Sequence, residues 1–515
     1  MQRKQLTLVI VSLLVVVLSV SLAWFTTQII GKGKDVSVTS TNLQIVFTDT
    51  DGEIAGADIE PGWQKTKTFT VENNSKSEYK YNIVIKDLLN TFVTNGYLQY
   101  KITSTNGGYN MTEFKDIPKS STPKDKILAY SVVIPNGVTQ SYTIEFKYAN
   151  DESVDQSDDM GKKLSGTLFI TEGTEDIYAG YEEGTLGYQI MGDNPTRSTR
   201  SNNNNGTNDF ATPLTTTTTG TLFKSTESIT GITDSPKEVY YYAGNTTNNW
   251  VKFAGFYWRI IRTNHDSSIR LLYVGTSHDT TTGNIGTSAF NSSYYSPKYA
   301  GYKYGEDTSL DTIRNNTTDS TIKTFIDSWY KNNLTNYTKY LSTSAVYCND
   351  RSEGTGQTYS VSADFNFASY YRMDWIGDGA KANPSYNCTD IRDAFSIDNT
   401  SAKLTHPVSL MTADEIAFAG GVAFRTMNTP YAWFISNSVG TQVSTYWWSL
   451  SPSAWNVGRA SVWSWNSDVA YLYSLYVVNT NAVRPAISLK SCIKYSTGNG
   501  TSESPYEIVE TSSGC

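Results

Sequence analysis

Five of the twelve tryptophans of this 515-residue chain lie in one stretch, residues 446–485. Before Arg484 near its end, this stretch has only two charged side chains, Arg459 and Asp468. Large aromatic side chains carry much contact area, and they dominate both protein cores and binding hot spots. The stretch is therefore expected either to pack a core or to form a recognition surface.

The order of residues in this stretch suggests which side chains point inward. We expect the indoles to pack the scaffold, while Arg484 neutralises a buried carboxylate or holds the closing turn. The scaffold set is Trp447, Trp448, Trp463, Trp465 and Arg484. Rigid tyrosines mixed with small polar residues are typical of antibody loops, so the interspersed residues are expected to face a partner. These residues are Ala454, Asn456, Val457, Arg459, Ser464, Asn466, Asp468, Val469, Tyr471, Tyr473 and Tyr476.

The same stretch has an unusual codon-level property. From Ser449 to Val483 there is no Lys, Glu, Gln or Met. Apart from its tryptophans, every residue there can be encoded by AAC or AAT with only adenines changed. Together with the ending Val483-Arg-Pro-Ala-Ile487, this pattern resembles the variable region of diversity-generating-retroelement target proteins. The resemblance implies a mutagenised surface on a C-type-lectin-like scaffold; the alternative is a buried β segment that lacks Lys and Glu for packing reasons.

The resemblance extends over roughly residues 240–489. It rests on an early strand, Phe256-Tyr-Trp-Arg-Ile-Ile-Arg262, a helix entry, Leu410-Met-Thr-Ala-Asp-Glu415, and the strand Tyr446-Trp-Trp-Ser449. The order is similar to C-type-lectin-like modules of formylglycine-generating-enzyme relatives. That enzyme needs paired cysteines near the end of the module, and the tryptophan-rich stretch has none. The resemblance therefore does not imply oxidase activity for this chain.

Two helices are predicted in the C-terminal half. Residues 320–334 have apolar side chains at helical spacing, with Asp319 or Ser320 as the N-cap. A second helix is expected to begin at Thr412, with Glu415 at its third position and glycines after its end.

The N-terminus has the features of an export signal. Arg3 and Lys4 precede an apolar run from Leu6 to Leu18, and small residues near Ala23 offer a cleavage site. This pattern predicts a signal peptide within residues 1–30, or a single membrane anchor if it is not cleaved. Both outcomes place the rest of the chain outside the cytoplasm, as a secreted or cell-surface protein.

The four cysteines fit that compartment. An even number outside the cell favours two disulfides, and proximity in sequence favours Cys348 with Cys388 and Cys492 with Cys515. Free, buried thiols are the alternative.

Residues 31–175 alternate apolar and polar side chains between turn signals, which predicts a β-sandwich. Patterns such as Asn42-Leu-Gln-Ile-Val-Phe47, Phe69-Thr-Val-Glu-Asn73 and Gly161-Lys-Lys-Leu-Ser-Gly-Thr-Leu168 resemble the TasA/camelysin family of Gram-positive bacteria. The resemblance implies a secreted sandwich, some relatives of which form biofilm fibres, with a segment such as residues 31–38 completing a neighbour's sheet. A passive spacer is the alternative. No H-E-x-x-H motif occurs, so protease activity is not carried over.

Residues 176–225 include runs of asparagine and threonine, and we predict a polar linker there. The expected fold class is mainly β, with a sandwich followed by an α+β C-type-lectin-like domain at residues 226–515. A net charge of −8 and the lack of a basic run argue against nucleic acid as partner.

Motifs for catalysis are not found. The chain has no G-x-x-x-x-G-K loop and no G-x-S-x-G elbow. The loop carboxylates Asp374, Asp378, Asp390 and Asp393 could in principle serve a calcium site or a glycosidase, but such side chains are usually solvated or cap turns. We therefore expect no metal, no cofactor and no enzyme activity.

The function expected from the sequence is binding or adhesion to a protein or glycan on another cell or surface. Self-association is expected through the N-terminal domain. The alternatives are a structural fibre or pilus subunit, and an enzyme related to formylglycine generators or glycosidases.

Overall fold

The computed structural model describes most of the chain from residue 36 onward. The signal peptide or anchor predicted for residues 1–30 lies outside the described residues. So do Asp374, Asp378, Asp468 and Val469. The described residues are 36–40, 43–49, 54–55, 59–94, 96–111, 113–153, 155–203, 207–280, 283–373, 381–425, 433–434, 446–467 and 470–515. The fold is mainly β, and the chain divides into two compact units, Met1–Asp176 and Ile177–Cys515.

The N-terminal unit is built from two sheets. Their orders are β1-β2-β4-β9-β6-β7 and β3-β10-β5-β8. The strands are β1 (Val36–Ser40), β2 (Leu43–Asp49), β3 (Ile54–Ala55), β4 (Gln64–Asn73), β5 (Tyr79–Asn90), β6 (Leu98–Ser104), β7 (Lys115–Asp116), β8 (Ser120–Ile134), β9 (Thr139–Tyr148) and β10 (Leu164–Glu172). Apolar side chains from both sheets share one cluster, which includes Tyr142 and Ile144 of β9 and Ile83 of β5.

Strand β1 belongs to the segment, residues 31–38, that was predicted to complete the sheet of a neighbouring copy. Residues 36–40 pair with β2 of the same chain, Val36 opposite Phe47, and so take part in the chain's own sheet. Strand β2 follows only two residues later in sequence, and closing so short a loop costs little chain entropy. Residues 36–38 therefore lie in the edge strand of the chain's own sheet, residues 31–35 lie outside the described residues, and the completion of a neighbour's sheet stays a prediction.

The C-terminal unit contains a large mixed sheet and the tryptophan-rich sheet. The large sheet follows β11-β14-β15-β17-β16-β32-β31, with β18, β30 and β25 continuing from β17. The strands are β11 (Thr196–Thr199), β12 (Asn202–Asn203), β13 (Thr207–Asn208), β14 (Thr221–Glu227), β15 (Lys237–Tyr241), β16 (Trp250–Phe253), β17 (Phe256–Thr263), β18 (Ile269–Gly275), β19 (Thr287–Ala289), β20 (Lys303–Tyr304), β21 (Thr318–Asp319), β22 (Tyr347–Cys348), β23 (Phe365–Asn366), β24 (Ala394–Phe395), β25 (Val408–Leu410), β26 (Tyr446–Asn456), β27 (Arg459–Asn466), β28 (Tyr471–Tyr476), β29 (Thr480–Ala482), β30 (Pro485–Leu489), β31 (Tyr495–Thr497) and β32 (Tyr506–Ile508). The α-helices are α1 (Leu186–Asp193), α2 (Leu310–Ile313), α3 (Thr321–Asn333), α4 (Ala368–Arg372) and α5 (Ala413–Phe418).

Residues 177–225, predicted to form a polar linker, instead belong to the C-terminal unit. They contain α1 and β11 and the start of β14. Leu186, Ile190 and Met191 of α1 enter the main apolar cluster, and Arg200 donates to the backbone oxygen of Phe418 at 2.7 Å. Phe210, Leu222 and Phe223 are buried as well, so the polar average composition of this stretch did not reveal that it packs into the unit.

Both predicted helices are present. Helix α3 begins after Ser320, whose side chain accepts a hydrogen bond from the Lys323 amide. Helix α5 begins after Thr412, which forms a reciprocal capping box with Glu415. In each case the side-chain oxygen satisfies a backbone donor that the first helical turn leaves unpaired.

Both predicted disulfides are confirmed. Cys348 is bonded to Cys388, with Cα atoms 5.8 Å apart, and Cys492 is bonded to Cys515, with Cα atoms 5.5 Å apart. Two disulfides indicate that the chain folds in an oxidising compartment. Of the helices in the described part of the chain, none has the length and apolar character needed to cross a membrane.

Candidate functional site

The tryptophan-rich stretch forms the centre of its own sheet, ordered β19-β29-β26-β27-β28. Strands β26 and β27 form an antiparallel hairpin in which Trp447 lies opposite Trp465 and Asn456 lies opposite Arg459. Two residues, Val457 and Gly458, make the turn. The φ angle of Gly458 is +86°, a conformation that favours glycine, so the hairpin tip is fixed by the sequence.

The indoles of this sheet lie in the core. Trp447, Trp448, Trp463 and Trp465 are all 0% exposed. Two of them also donate hydrogen bonds: Trp448 Nε1 to the Ser288 backbone oxygen at 2.8 Å, and Trp463 Nε1 to Ser369 Oγ at 3.1 Å. The indoles therefore hold the sheet against its surroundings and offer no surface to a ligand.

Arg484 is buried between strands β29 and β30, where it holds neighbouring backbone segments together. Its guanidinium donates to the backbone oxygen of Phe434 at 2.7 Å and to that of Tyr273 at 3.1 Å. It lies 5.2 Å from the ring centroid of Trp447. Burial lowers the pKa of Arg484 to about 9. Its partners among the described residues are carbonyls and a ring, which fits the predicted turn-holding role and not the alternative of neutralising a carboxylate.

Three residues predicted to face a partner are buried instead: Ala454, Ser464 and Asn466. The reason is that both strands of the hairpin are buried on both faces of the sheet, β26 from Trp447 to Trp455 and β27 from Ala460 to Asn466. A strand covered on both faces has no outward-pointing set of side chains, so alternation does not separate core from surface there. Ser464 Oγ donates to the Trp447 backbone oxygen at 2.9 Å, which makes it part of the scaffold.

The other predicted residues with a described position reach the surface. Asn456, Val457 and Arg459 are exposed at the hairpin tip, and Val457 is 57% exposed. Tyr476, at the end of β28, is 37% exposed. Tyr471, on the same strand, is half-buried, as is Tyr473.

Two tyrosines from outside the stretch join the hairpin tip. Tyr295 is 72% exposed, and its ring centroid lies 4.4 Å from that of Tyr294. The Tyr294 ring lies 6.4 Å from Tyr476, and its backbone oxygen accepts from the Ala460 amide at 2.9 Å. Arg459 donates to the Tyr476 hydroxyl at 3.0 Å, with its guanidinium 5.0 Å from that ring centroid. We call Tyr294, Tyr295, Val457, Arg459 and Tyr476 the tip cluster.

A second aromatic group lies along the edge strand β28. The rings of Tyr471 and Tyr473 are 6.0 Å apart, and both contact Phe424, at 5.8 and 5.3 Å respectively. The Phe424 amide donates to the Leu472 oxygen at 3.3 Å, which attaches the Phe424 segment to the edge of the sheet. Tyr471 and Tyr473 thus project from one face of the strand, as residues two apart must.

Sequence reasoning missed the two tyrosines of the tip cluster and Phe424. Tyr294 and Tyr295 stand between serines in a stretch with no alternating pattern, and only the fold brings them beside Tyr476. An adjacent pair of tyrosines in a polar loop was the one available signal.

Of the four loop carboxylates considered for calcium, the two with a described position, Asp390 and Asp393, are engaged with arginines. Asp390 accepts from Arg392 at 2.6 Å, and this hydrogen bond is the main cause that lowers the pKa of Asp390 to about 2. Asp393 accepts from Arg314 at 2.8 Å and from Arg351 at 2.7 Å. Within the described ranges, no group of three or more His, Cys, Asp and Glu side chains is arranged to hold a metal ion.

A buried ion network connects the large sheet to α5. Arg262 of β17 donates to Glu227 of β14 at 2.8 Å and to Glu415 of α5 at 2.8 Å. Arg270 of β18 also donates to Glu415, at 2.6 Å. Burial alone would raise the pKa of Glu227, but Arg262 and His265 outweigh it and lower the pKa to about 2. The adjoining cavity has a volume of about 20 Å³, room for little more than a water molecule.

We expect acid to destabilise the C-terminal unit between about pH 4.5 and pH 2. The pKa of Glu227 in the folded state is about 2, against 4.5 ordinarily, so its ionised form stabilises the fold above pH 4.5. That stability, roughly 3 kcal/mol, is lost as pH falls toward 2. Urea denaturation at pH 6, 4.5 and 3 measures it, and Glu227→Gln should flatten the pH dependence. An equally steep decline in that variant would contradict the assignment.

Comparison with known proteins does not identify the chain. No protein-family model matches it, and no curated protein matches it.

Proposed function

We propose that this chain is a secreted or cell-surface binding protein. Its N-terminal unit is a TasA-like β-sandwich that anchors the protein or associates with other copies. Its C-terminal unit is a C-type-lectin-like module that binds a protein or glycan on another cell or surface, without catalysis. The observation that carries the proposal is the tip cluster, where Arg459 lies against the exposed ring of Tyr476, next to Tyr294 and the exposed Tyr295.

The composition of the tip cluster supports a binding role. Tyrosine and arginine are enriched among the residues that contribute most to protein interfaces, since they combine large contact area with hydrogen bonding. The Arg459 side chain is held against the Tyr476 ring and hydroxyl, so part of its conformational entropy is already lost before a partner arrives. Val457 and Tyr295 add exposed apolar area.

The tip cluster also agrees with the proposed diversification. Val457, Arg459 and Tyr476 belong to the stretch whose residues are reachable from adenine-containing codons, whereas Tyr294 and Tyr295 lie outside it. In a diversified family the first three would vary while the two loop tyrosines stayed fixed. A near-copy of the DNA for residues 449–483 beside a reverse-transcriptase gene, differing mainly at adenines, would establish the mechanism.

Replacing Tyr295, Arg459 and Tyr476 together by alanine is expected to weaken binding to target cells at least about 100-fold, or about 2.7 kcal/mol, since a single hot-spot residue already costs about 2 kcal/mol or more. The measurement is flow cytometry of the labelled protein on bacteria and host cells from the same habitat. The melting temperature should stay within a few degrees because the three side chains are exposed or half-exposed.

The control is Lys252→Ala, an exposed change on β16. Equal binding by the triple variant and the wild type would refute the assignment of the tip cluster. A protein that binds no cell but forms filaments on its own, seen by electron microscopy, would instead favour the structural-fibre alternative.

A further inference from the structure

A separate cleft of about 460 Å³ lies between α3 and the segments β19, β20 and β21. Its lining combines two aromatic rings, Tyr304 and Phe325, with one carboxylate, Asp319, and a set of hydroxyl-bearing side chains. Small-ligand sites typically measure roughly 300–1,000 Å³ and place a few polar groups around apolar surface. The cleft has the size and the mixed lining of such a site.

The aromatic rings are held in place by their surroundings. The Phe325 ring lies close to Gly286: a Cβ atom at that glycine would stand 3.2 Å from Phe325 Cζ. Tyr304 packs edge-on against Tyr299, with ring centroids 5.4 Å apart. Both Phe325 and Tyr304 are half-buried, so each ring is fixed on one side and open on the other. Rigid, half-exposed rings give apolar contact at little entropic cost.

The charges at the cleft cancel. Asp319 is paired with Lys303 at 3.3 Å and with Lys323 at 3.2 Å, and Lys323 is paired with Asp327 at 2.5 Å. The described residues that line the cleft include no lysine or arginine. A phosphate or carboxylate ligand would therefore be desolvated without a cation to receive it. The Asp319 side chain is 37% exposed and can still accept hydrogen bonds.

Hydroxyl groups supply the remaining polar surface. Within the part of the chain that the structure describes, the side-chain oxygens of Ser292, Thr321 and Tyr304 have no hydrogen-bond partner. Asn291 is already engaged, because its Nδ2 donates to the Tyr299 oxygen at 2.9 Å. The cleft thus offers several neutral donors and acceptors beside the two rings.

We propose that this cleft binds a neutral saccharide of one or two pyranose rings. A pyranose presents an apolar C–H face, which suits the ring of Phe325 or Tyr304. It also presents several hydroxyls, which suit Ser292, Thr321 and Asp319. Neither a phosphorylated sugar nor a purely apolar ligand satisfies the whole lining. The cleft shares no residue with the tip cluster, so saccharide binding there can be tested independently of the proposed function.

The test is titration of the full secreted chain with cellobiose, maltose, lactose and N,N′-diacetylchitobiose, followed by saturation-transfer NMR. At least one disaccharide should bind with a Kd of about 0.1–10 mM, a range usual for small neutral ligands. Phe325→Ala should weaken that binding at least about tenfold, and Ser292→Ala, an exposed change that cannot harm the core, about threefold to tenfold. Glucose 6-phosphate should bind more weakly than the best neutral disaccharide.

The matched control is Tyr295→Ala, which removes an exposed tyrosine of the tip cluster and should leave saccharide binding unchanged. Thermal denaturation of each variant separates loss of the site from loss of the fold. The proposal is wrong if none of the four disaccharides binds below about 10 mM. It is also wrong if Ser292→Ala and Phe325→Ala both bind like the wild type, or if glucose 6-phosphate binds best.

Discussion

Replacing Arg262 by methionine is expected to lower the free energy of unfolding of the C-terminal unit by about 3–5 kcal/mol. The substitution removes the guanidinium that lies between Glu227 and Glu415, both almost fully buried. Glu415 keeps Arg270, but Glu227 is left with His265 and its backbone amide. An unpaired carboxylate in the core must either stay charged at high cost or bind a proton, and both outcomes destabilise the fold.

Denaturation followed by tryptophan fluorescence measures this effect, since ten of the twelve tryptophans lie after residue 177. The matched control is Lys252→Met, which breaks the exposed ion pair with Glu507 at 2.9 Å and should cost less than about 1 kcal/mol. Adding Glu227→Gln to Arg262→Met should recover part of the loss, because a neutral amide is cheaper to bury than an unpaired carboxylate, while Glu415 still has Arg270. A loss in Arg262→Met no larger than in Lys252→Met would show that the network does not support the fold.

Local sequence patterns predicted those parts of the fold that depend on neighbours in the chain. The N-cap residues Ser320 and Thr412 begin helices where their spacing to apolar residues indicated. In β9, Tyr142, Ile144 and Phe146 point into the core while alternate residues do not. Caps act within one turn, and alternation is reliable for a strand with one solvated face. Disulfide pairing by proximity succeeded because each cysteine is bonded to the cysteine nearest to it in sequence, 40 residues away in one pair and 23 in the other.

Features that depend on distant contacts could not be read from the sequence. Arg262 meets Glu415 across 153 residues, so its burial has no local signature. Ser464 and Asn466 resemble surface residues, but both faces of the strand that carries them are buried. Tyr295 gains its importance from Tyr294 and Tyr476, which only the fold brings together. The sequence therefore predicted the exposed residues at the hairpin tip, whereas the buried residues of the hairpin and the two loop tyrosines beside it required the structure.

Replacing Trp463 by alanine is expected to destabilise the C-terminal unit by about 3–5 kcal/mol, because a fully buried indole leaves a cavity. The change also removes the hydrogen bond from Trp463 Nε1 to Ser369 Oγ and leaves that buried hydroxyl with one fewer donor. The Trp463 ring lies 5.8 Å from Tyr370 and 6.1 Å from Phe424, the residue that contacts Tyr471 and Tyr473. Loss of the indole should therefore also loosen the aromatic group at the edge of the sheet.

The control for this variant is Tyr295→Ala, because Tyr295 is 72% exposed and its loss should change the free energy of unfolding by no more than about 0.5 kcal/mol. The two variants are expected to separate stability from binding. Trp463→Ala should unfold at lower denaturant concentration, while Tyr295→Ala should keep the wild-type midpoint and bind target cells more weakly. The reverse pattern, with Trp463→Ala stable and Tyr295→Ala unfolding early, would mean that the tyrosines support the sheet and the indoles do not. In that case the tip cluster could no longer be treated as a surface that the scaffold presents to a partner.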